Sequence, residues 1–466
     1  MTNSTSTPAD RDLAHELSPE PKWERSISDV NREVLFNIKR PHPIYYFALI
    51  ISAICLLLGV IMVASTMILG LGIWGANTPV YWAVDITNFV FWVGIGHAGT
   101  LISAILFLFR AKWRNTINRA AEAMTIFAVI TAALYVLTHT GRQWLAPLWL
   151  FPIPNTNNLW VNLRSPLMWD VFAVNTYLTV SLLFWYMGMV PDLASLRDRT
   201  KGFQRLVYGI MSLGWRGTAK QWHHYEAGYG FLAALATPLV LSVHSVVSWD
   251  FAMSIQPGWH TTIFPPYFVA GAILSGCAMV YTLIVPVRWM FKLEKFILDD
   301  HLEACVKLIL LTSTIVFYAY AIEFFVAWYS GAPYEWAIFV KRAVGPYAFY
   351  FWVMVFCNCI FPMIFWSRRM RRNMTVVFVV SVLINVGMWF ERYNIIVSSL
   401  VEDFLPGSWG VYQPTIVDML YTLGGFGWFF FWFFIFCRFF PIISLSELKL
   451  IMPKPLRGKD KLGSGH

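Results

Sequence analysis

The sequence predicts an all-α, polytopic membrane protein with ten transmembrane helices. Three observations support this fold class. The 466-residue chain is 58% hydrophobic and only 13% charged, whereas soluble domains carry about 25% charged residues. Ten apolar stretches are each long enough to cross a bilayer. Lysine and arginine fall almost entirely in alternate connections between those stretches.

Each apolar stretch reaches the length of about 20 residues that a transmembrane helix needs. Because lipid offers no hydrogen bonds to the backbone, each stretch is predicted to be helical. The predicted spans are 44–70, 79–109, 120–141, 167–190, 227–255, 264–287, 308–334, 343–366, 374–397 and 412–437. Together they form one predicted transmembrane domain, residues 44–440.

The distribution of basic residues predicts the orientation. Ten spans place both termini on one side, and that side receives all but five of the 35 Lys and Arg residues. The exceptions are Arg142, Arg164, Lys341, Arg342 and Arg392. Basic residues collect on the cytoplasmic side of membrane proteins, so both termini are predicted to be cytoplasmic. The net charge of +9 belongs mostly to that face, and we expect no nucleic-acid partner.

Polar segments flank the predicted membrane domain. Residues 1–43 form a cytoplasmic leader without a visible signal peptide, and its apolar residues within 30–38 are spaced for a short helix on the membrane surface. Residues 441–466 form a basic cytoplasmic tail. The six cysteines lie in or near spans without a CxxC pair. We therefore interpret them as small apolar residues and predict no metal site.

Ionisable residues gather near the non-cytoplasmic ends of the spans. A charge inside a span is penalised, so a cluster on one side predicts a polar site. The clustered residues are Asp85, Asp170, Asp250, Glu391, Arg392 and Asp418, with His139 and Arg142 beside them. His97 and Glu323 are predicted to lie deeper in their spans.

One chemistry that suits this set is quinol oxidation, which removes two protons and two electrons from a lipophilic molecule. A histidine or carboxylate within hydrogen-bond reach of a quinol hydroxyl can accept a proton. An aromatic, apolar pocket that opens to lipid can hold the ring and the tail. The sequence therefore favours a quinol site near the non-cytoplasmic surface.

Several of these residues also have a purely structural interpretation. Asp170 could be a helix-entry residue that interacts with the helix dipole, and His139 could be a packing histidine. Arg142 and Arg392 could extend their side chains toward the membrane surface.

Two further expectations concern charges at the ends of spans. Asp85 and Asp418 lie so close to the predicted interface that solvation is the expected explanation for both. Glu391 and Arg392 are sequence neighbours, so we expect them on different helix faces and not necessarily paired.

The histidines predict no redox cofactor within this chain. A haem with two axial histidines needs them on two helices at matching depth, whereas His97, His139 and His244 are predicted to lie at different depths. Electrons taken from a quinol would then leave to an iron–sulfur cluster or haem of a partner subunit.

Three segments carry a resemblance to a known family. They are SPLMWD at 165–170, SVHSVVSWDFA at 242–252 and WFERY at 389–393. On these segments the chain resembles the NrfD/PsrC family of integral membrane subunits, over about residues 40–440. Within that family it most resembles the quinol-binding subunits of bacterial alternative complex III.

The resemblance implies two four-helix bundles, formed by spans 2–5 and 6–9, with spans 1 and 10 flanking them. It implies a bacterial inner-membrane protein that oxidises menaquinol or another quinol, releases protons outside and holds no bound cofactor of its own. It also implies partners: a periplasmic iron–sulfur subunit, haem c subunits and a paralogous ten-helix membrane subunit. Proton translocation is a further function proposed for the family.

The resemblance also implies roles for individual residues. The catalytic residues, which would contact quinol or accept its protons, are His139, Asp170 and Asp250. The quinol-binding set adds Arg142, His244, Glu391 and Arg392. A proton path would be lined by Asp85, His97 and Glu323.

Two other functions are compatible with the sequence. Secondary transporters place ionisable residues at broken helices near the bilayer midplane, whereas the polar cluster here is displaced toward one side. A purely structural membrane anchor would have no quinone site of its own.

Overall fold

The computed structural model describes residues 41–141, 163–294 and 296–447, and within these residues it contains helices but no β-strand. Ten helices in the described part are long and apolar enough to cross a membrane, which confirms the predicted fold class. They are α1 (Pro43–Leu69), α2 (Val84–Leu108), α3 (Asn118–His139), α4 (Pro166–Arg197), α5 (Ala219–Ala252), α6 (Phe264–Met290), α7 (Asp299–Tyr329), α8 (Ala348–Trp366), α9 (Met374–Leu400) and α10 (Ile416–Phe439). The surface helix predicted within 30–38 lies outside the described residues.

The alternating helices define two sides of the protein. The basic side carries the start of α1, the end of α10 and the arginine-rich connections. The opposite side carries the other helix ends and is here called the site side. On the basic side α4, α5 and α7 extend about two turns beyond the predicted spans. A span predicted from hydropathy ends where polar residues begin, whereas a helix can continue through polar residues outside the bilayer. The longer α5 begins with a capping box in which Thr218 and Gln221 bond reciprocally to each other's backbone N–H groups.

Two connections contain a short helix that the sequence analysis did not predict. Gly202–Met211 lies between α4 and α5 and is held by the Tyr208 hydroxyl, which donates to the Phe439 carbonyl (2.8 Å). Pro333–Val344 lies between α7 and α8. Both helices are amphipathic, so a search for long apolar stretches passes over them.

The helices form the two bundles that the resemblance implies. In the first bundle, α2 and α4 each pack against both α3 and α5. In the second, α6 and α8 each pack against both α7 and α9. α1 and α10 pair closely with each other beside the first bundle, where α10 also touches α2 and α3.

α2 is the helix that joins the bundles. It packs against α6 and α9 of the second bundle as well as against its own neighbours. Every residue from Val84 to Thr100 is buried. Polar residues of α2 therefore face protein and not lipid.

The start of the predicted tail packs against the basic side of the first bundle. The Ser446 N–H donates to Asp192 Oδ1 (2.9 Å), and Glu447 Oε2 lies 3.1 Å from Arg114 Nη2. Ile443 and the neighbouring apolar residues of 441–447 are buried. These residues are part of the folded core.

Candidate functional site

Asp85 and His139 form a hydrogen-bonded pair, here called the acid–histidine pair, on the site side of the first bundle. Asp85 lies in the first turn of α2, and His139 ends α3. His139 Nδ1 contacts Asp85 Oδ2, and Asp85 Oδ1 accepts the Ala83 N–H (3.2 Å). Only 2% of Asp85 is exposed. The expectation of solvation was wrong because partners from two segments enclose the carboxylate.

The acid–histidine pair fixes the orientation of the His139 ring. Nδ1 faces Asp85, and within the described ranges no residue binds Nε2. The Tyr81 ring packs edge-on at 5.0 Å from the His139 ring. Burial, and then the nearby Asp85 carboxylate, raise the pKa of Tyr81 above its ordinary value, so Tyr81 presents a neutral hydroxyl. His139 Nε2 is thus the ring nitrogen that can exchange a proton with a ligand.

Asp170 and Asp250 form a second pair, here called the diacid pair, on the same side. Asp170 lies near the start of α4 and Asp250 near the end of α5, and their carboxyl groups are within side-chain hydrogen-bonding range of each other. Two ionised carboxylates repel each other at this range, and a proton shared between them removes that repulsion. The Oδ1 atoms of both residues are buried without a partner in the described part of the chain.

The two pairs flank the connection that precedes α2. The Trp82 ring lies 6.0 Å from the ring of Phe251, the residue that follows Asp250 in α5, and 5.9 Å from the Trp259 ring, while Tyr81 contacts His139 of the acid–histidine pair. Among the described residues no hydrogen bond joins the two pairs directly. The predicted catalytic residues are therefore distributed over two neighbouring pairs.

A third polar group, here called the inner cluster, lies deeper, where the bundles meet. Its members are His97, His244, Glu391, Arg392, Tyr320 and Asn358. The ring centroids of His97 and His244 are 4.6 Å apart. The prediction of different depths was wrong for His97 and His244, because their depths depend on how α2 and α5 pack and not only on their distances in sequence from the helix ends.

Arg392 links the two histidines to Glu391. Its guanidinium carbon lies 4.3 Å from the centre of the Phe268 ring, which in turn lies 5.7 Å from the His244 ring. Arg392 Nη1 lies 3.0 Å from Glu391 Oε1. Glu391 and Arg392 therefore form an ion pair although they are adjacent in sequence.

Glu391 is held by two residues that the sequence analysis missed. The Tyr320 hydroxyl of α7 donates to Glu391 Oε2, and Asn358 Nδ2 of α8 donates to the same oxygen (3.3 Å). Asn358 lies in the π-helical stretch Phe356–Ile360 of α8. Both side chains are neutral, so a polar group within an apolar span was the only signal that could have found them.

The remaining predicted residues of the quinol site and proton path are separate from these pairs. Glu323 on α7 lies close enough to Arg342 and Glu391 to interact with their charges. Arg342 belongs to the short helix Pro333–Val344 and donates to the Ser398 hydroxyl (2.9 Å). Arg142 lies outside the described residues.

Asp418 has a structural role at the start of α10. Its Oδ2 accepts the Gly75 N–H (2.9 Å) and the Tyr412 hydroxyl (3.1 Å), and only 4% of the residue is exposed. The expectation that Asp418 is solvated was therefore also wrong.

The diacid pair and the inner cluster share a property that bears on ligand binding. Several of their buried polar atoms have no hydrogen-bond or ion-pair partner among the described residues: Asp170 Oδ1, Asp250 Oδ1, His97 Nε2, both ring nitrogens of His244, and Nη2 of Arg392. Such an atom costs about 1–3 kcal/mol, so their concentration favours a polar ligand or water here. In the described part, no group of three or more His, Cys, Asp or Glu side chains could hold a metal ion.

Comparison with known proteins gives a family match across both bundles. Residues 72–402 match the family described as Polysulphide reductase, NrfD. A putative membrane subunit of dimethyl sulfoxide reductase from Halobacterium salinarum is 24% identical over 78% of this chain and 86% of its own. The Hdr-like menaquinol oxidoreductase integral membrane subunit of Archaeoglobus fulgidus is 23% identical over 82% and 85%.

A third relative matches over a smaller part of the chain. A selenate reductase subunit of Mesobacillus selenatarsenatis is 22% identical over 58% of this chain and 63% of its own length. All three relatives are named as subunits of redox enzymes. The family match spans α2–α9 and hence both four-helix bundles, so the chain belongs to the NrfD family of integral membrane proteins.

Proposed function

We propose that this protein is the quinol-binding membrane subunit of a quinol-oxidising electron-transfer complex of the alternative complex III type. The observation that carries the proposal is the position of the acid–histidine pair and the diacid pair at one end of the first bundle. Each pair contains a group that can take a proton. The name of the Archaeoglobus fulgidus relative, a menaquinol oxidoreductase subunit, supports a menaquinol as the substrate.

The acid–histidine pair is suited to accept the first proton. His139 Nε2 faces away from Asp85 and would take the proton from a quinol hydroxyl as general base. Asp85 would hold the ring in place through Nδ1 and stabilise the imidazolium that forms. This division of roles explains why a buried carboxylate and a part-exposed histidine are paired.

The diacid pair is suited to accept the second proton. Asp170 and Asp250 share one proton while the quinol is bound, and the pair as a whole has capacity for another. Partial exposure of Asp250 gives that proton a route toward the site-side surface. With the basic side in the cytoplasm, as the positive-inside rule predicts, both protons would be released outside.

The electrons need a carrier outside this chain. We propose a periplasmic iron–sulfur subunit above the site side, followed by haem c subunits, with a paralogous ten-helix subunit in the same bacterial inner membrane. The inner cluster connects His97 with Glu391 through His244 and Arg392, and Glu323 lies beyond it. Together with Asp85, these residues would be candidates for a proton path if the complex also moves protons.

The proposal is tested by quinol-dependent electron transfer in the purified complex. Asp250→Asn and His139→Gln each remove a proton acceptor with little change in volume, so turnover is expected to fall by about 10²–10⁴-fold. Asp403→Asn provides a matched control, because Asp403 lies in the site-side connection after α9 and caps a turn by accepting the Leu405 N–H (2.7 Å). The control is expected to keep full turnover.

Three outcomes would contradict the proposal. Normal turnover in both variants, with the complex intact, would show that neither pair handles quinol protons. A complex that contains no quinone and resists quinone-analogue inhibitors would favour a structural anchor. Substrate counterflow in liposomes that contain this chain alone would favour the secondary transporter.

A further inference from the structure

We propose that a groove between α1, α3 and α10 binds the isoprenoid tail of the quinol; this inference rests on the proposed function above. The groove has a volume of about 210 Å³. Its walls include Leu56, Val63, Leu134, Tyr135, Tyr421 and Trp428. The groove lies on the side of the first bundle that α1 and α10 flank.

Close contact between α1 and α10 forms the floor of the groove. At Gly424 an added Cβ would lie 2.3 Å from the Gly59 Cα atom, and at Gly59 it would lie 2.6 Å from the Gly424 Cα atom. An added Cβ at Gly425 would lie 2.0 Å from the Tyr135 hydroxyl. These glycines therefore let the helix backbones touch, and larger side chains above them leave a channel.

The groove presents mostly apolar surface, and its two threonine hydroxyl groups are bonded to backbone carbonyls. The Thr131 hydroxyl donates to the Phe127 carbonyl (2.6 Å), and the Thr138 hydroxyl donates to the Leu134 carbonyl (3.0 Å). The lining contains no charged side chain. A phospholipid would place a charged head group at the end of such a groove, whereas an isoprenoid chain carries none.

The groove leads to the acid–histidine pair. Thr138 lines it and directly precedes His139. The hydroxyl of Tyr135 donates to the Tyr421 carbonyl (3.2 Å), and both tyrosines lie close enough to Asp85 to interact with its charge. A quinol whose ring contacts His139 can therefore direct its tail along the groove toward lipid.

The test compares a long-tailed menaquinol with tail-less dimethylnaphthoquinol as substrates of the purified complex. Val63→Trp fills the groove, so the KM for the long-tailed quinol is expected to rise by about tenfold or more through lost apolar burial, with the KM for the tail-less quinol unchanged. Ile61→Trp is the matched control, because Ile61 is on the same helix but outside the groove and 46% exposed. It is expected to change neither KM.

Labelling provides a second measurement that does not depend on turnover. A menaquinone with a photoreactive group on its tail is expected to label α1 or α10 at groove residues, and Val63→Trp to abolish that label. An equal rise in both KM values, or no change in either with labelling elsewhere, would overturn the groove assignment. If neither quinol is oxidised by the wild-type complex and no label is found, the proposed function itself fails.

Discussion

Two buried arginines, one on each side of the protein, differ in how many partners surround the guanidinium group. Arg119 on the basic side is 1% exposed and Arg392 on the site side is 2% exposed. Arg119 donates to Glu122, Asp192, Ser444 and the carbonyls of Trp185 and Gly188. Arg392 pairs through Nη1 with Glu391 and lies over an aromatic ring, and its Nη2 atom has no partner among the described residues.

The difference separates a structural charge from one that is available to a ligand. Around Arg119 the folded chain supplies the partners, including Tyr229, whose hydroxyl donates to Glu122 Oε1 (3.1 Å). A network with this many partners fixes how helix ends and tail fit together. Around Arg392 several buried hydrogen-bond donors and acceptors have no partner among the described residues, which is expected where a polar ligand or water binds.

The strongest way to test the structural half of this comparison is Arg119→Gln. The change leaves Glu122 and Asp192 buried without their cation, so the free energy of unfolding is expected to fall by roughly 3–5 kcal/mol. Denaturant titration in mixed micelles, followed by tryptophan fluorescence, measures the loss. The exposed Arg199→Gln serves as control, and equal stability of the two variants would show that the basic-side network is not structural.

Asp85→Asn tests the site side next. Asparagine has nearly the same shape as aspartate but cannot stabilise a protonated His139, so turnover of the complex is expected to fall by about 100-fold or more. Folding is expected to change little, because the side-chain oxygen of asparagine can still accept the hydrogen bond from the Ala83 N–H. Steady-state quinol oxidation measures the effect, and wild-type turnover would remove Asp85 from the proposed proton acceptor.

Arg392→Gln sharpens the comparison because it repeats the arginine-to-glutamine change in the inner cluster. We expect a loss of only about 1–3 kcal/mol in the free energy of unfolding, since Arg392 pairs with one carboxylate whereas Arg119 pairs with two. Quinol turnover is expected to fall at the same time. The same micelle titration applies, and a loss as large as that of Arg119→Gln would break the distinction drawn between the two arginines.

The smallest effect is expected for Glu447→Gln. The amide can still accept from Asn118 Nδ2, which donates to Glu447 Oε2 at 2.8 Å, but the ion pair with Arg114 is lost. The free energy of unfolding is expected to fall by about 1 kcal/mol. Limited proteolysis should release the tail faster than in wild type, and an unchanged cleavage rate would show that the ion pair does not hold the segment.

The fold was largely predictable because membrane spans leave a strong record in hydropathy and in the placement of basic residues. Ten spans and their alternation were predicted correctly. The short helices Gly202–Met211 and Pro333–Val344 were not predicted, because an amphipathic helix at the surface has no long apolar run. The burial of 441–447 could not be predicted either, since it depends on partners such as Asp192 far away in the chain.

Members of the candidate site were named from the sequence, but the contacts between them were not predicted. The sequence identified Asp85 and His139 separately, and nothing in either segment indicates that residues 54 positions apart meet across two helices. Depth along a span was equally hard to predict, because the relative heights of α2 and α5, which bring His97 and His244 together, do not follow from their predicted ends. Pairing and depth are properties of helix packing, which one sequence does not record.

The burial of α2 from Val84 to Thr100 has a consequence for the order in which the chain assembles. α2 leaves the ribosome early, yet α5, α6, α9 and α10, which surround it, are synthesised later. Until they arrive, residues such as Asn88 and His97 must be tolerated next to lipid or kept by the insertion machinery. The amino-terminal half expressed alone would therefore expose a polar helix to the bilayer, and the two bundles cannot mature as independent units.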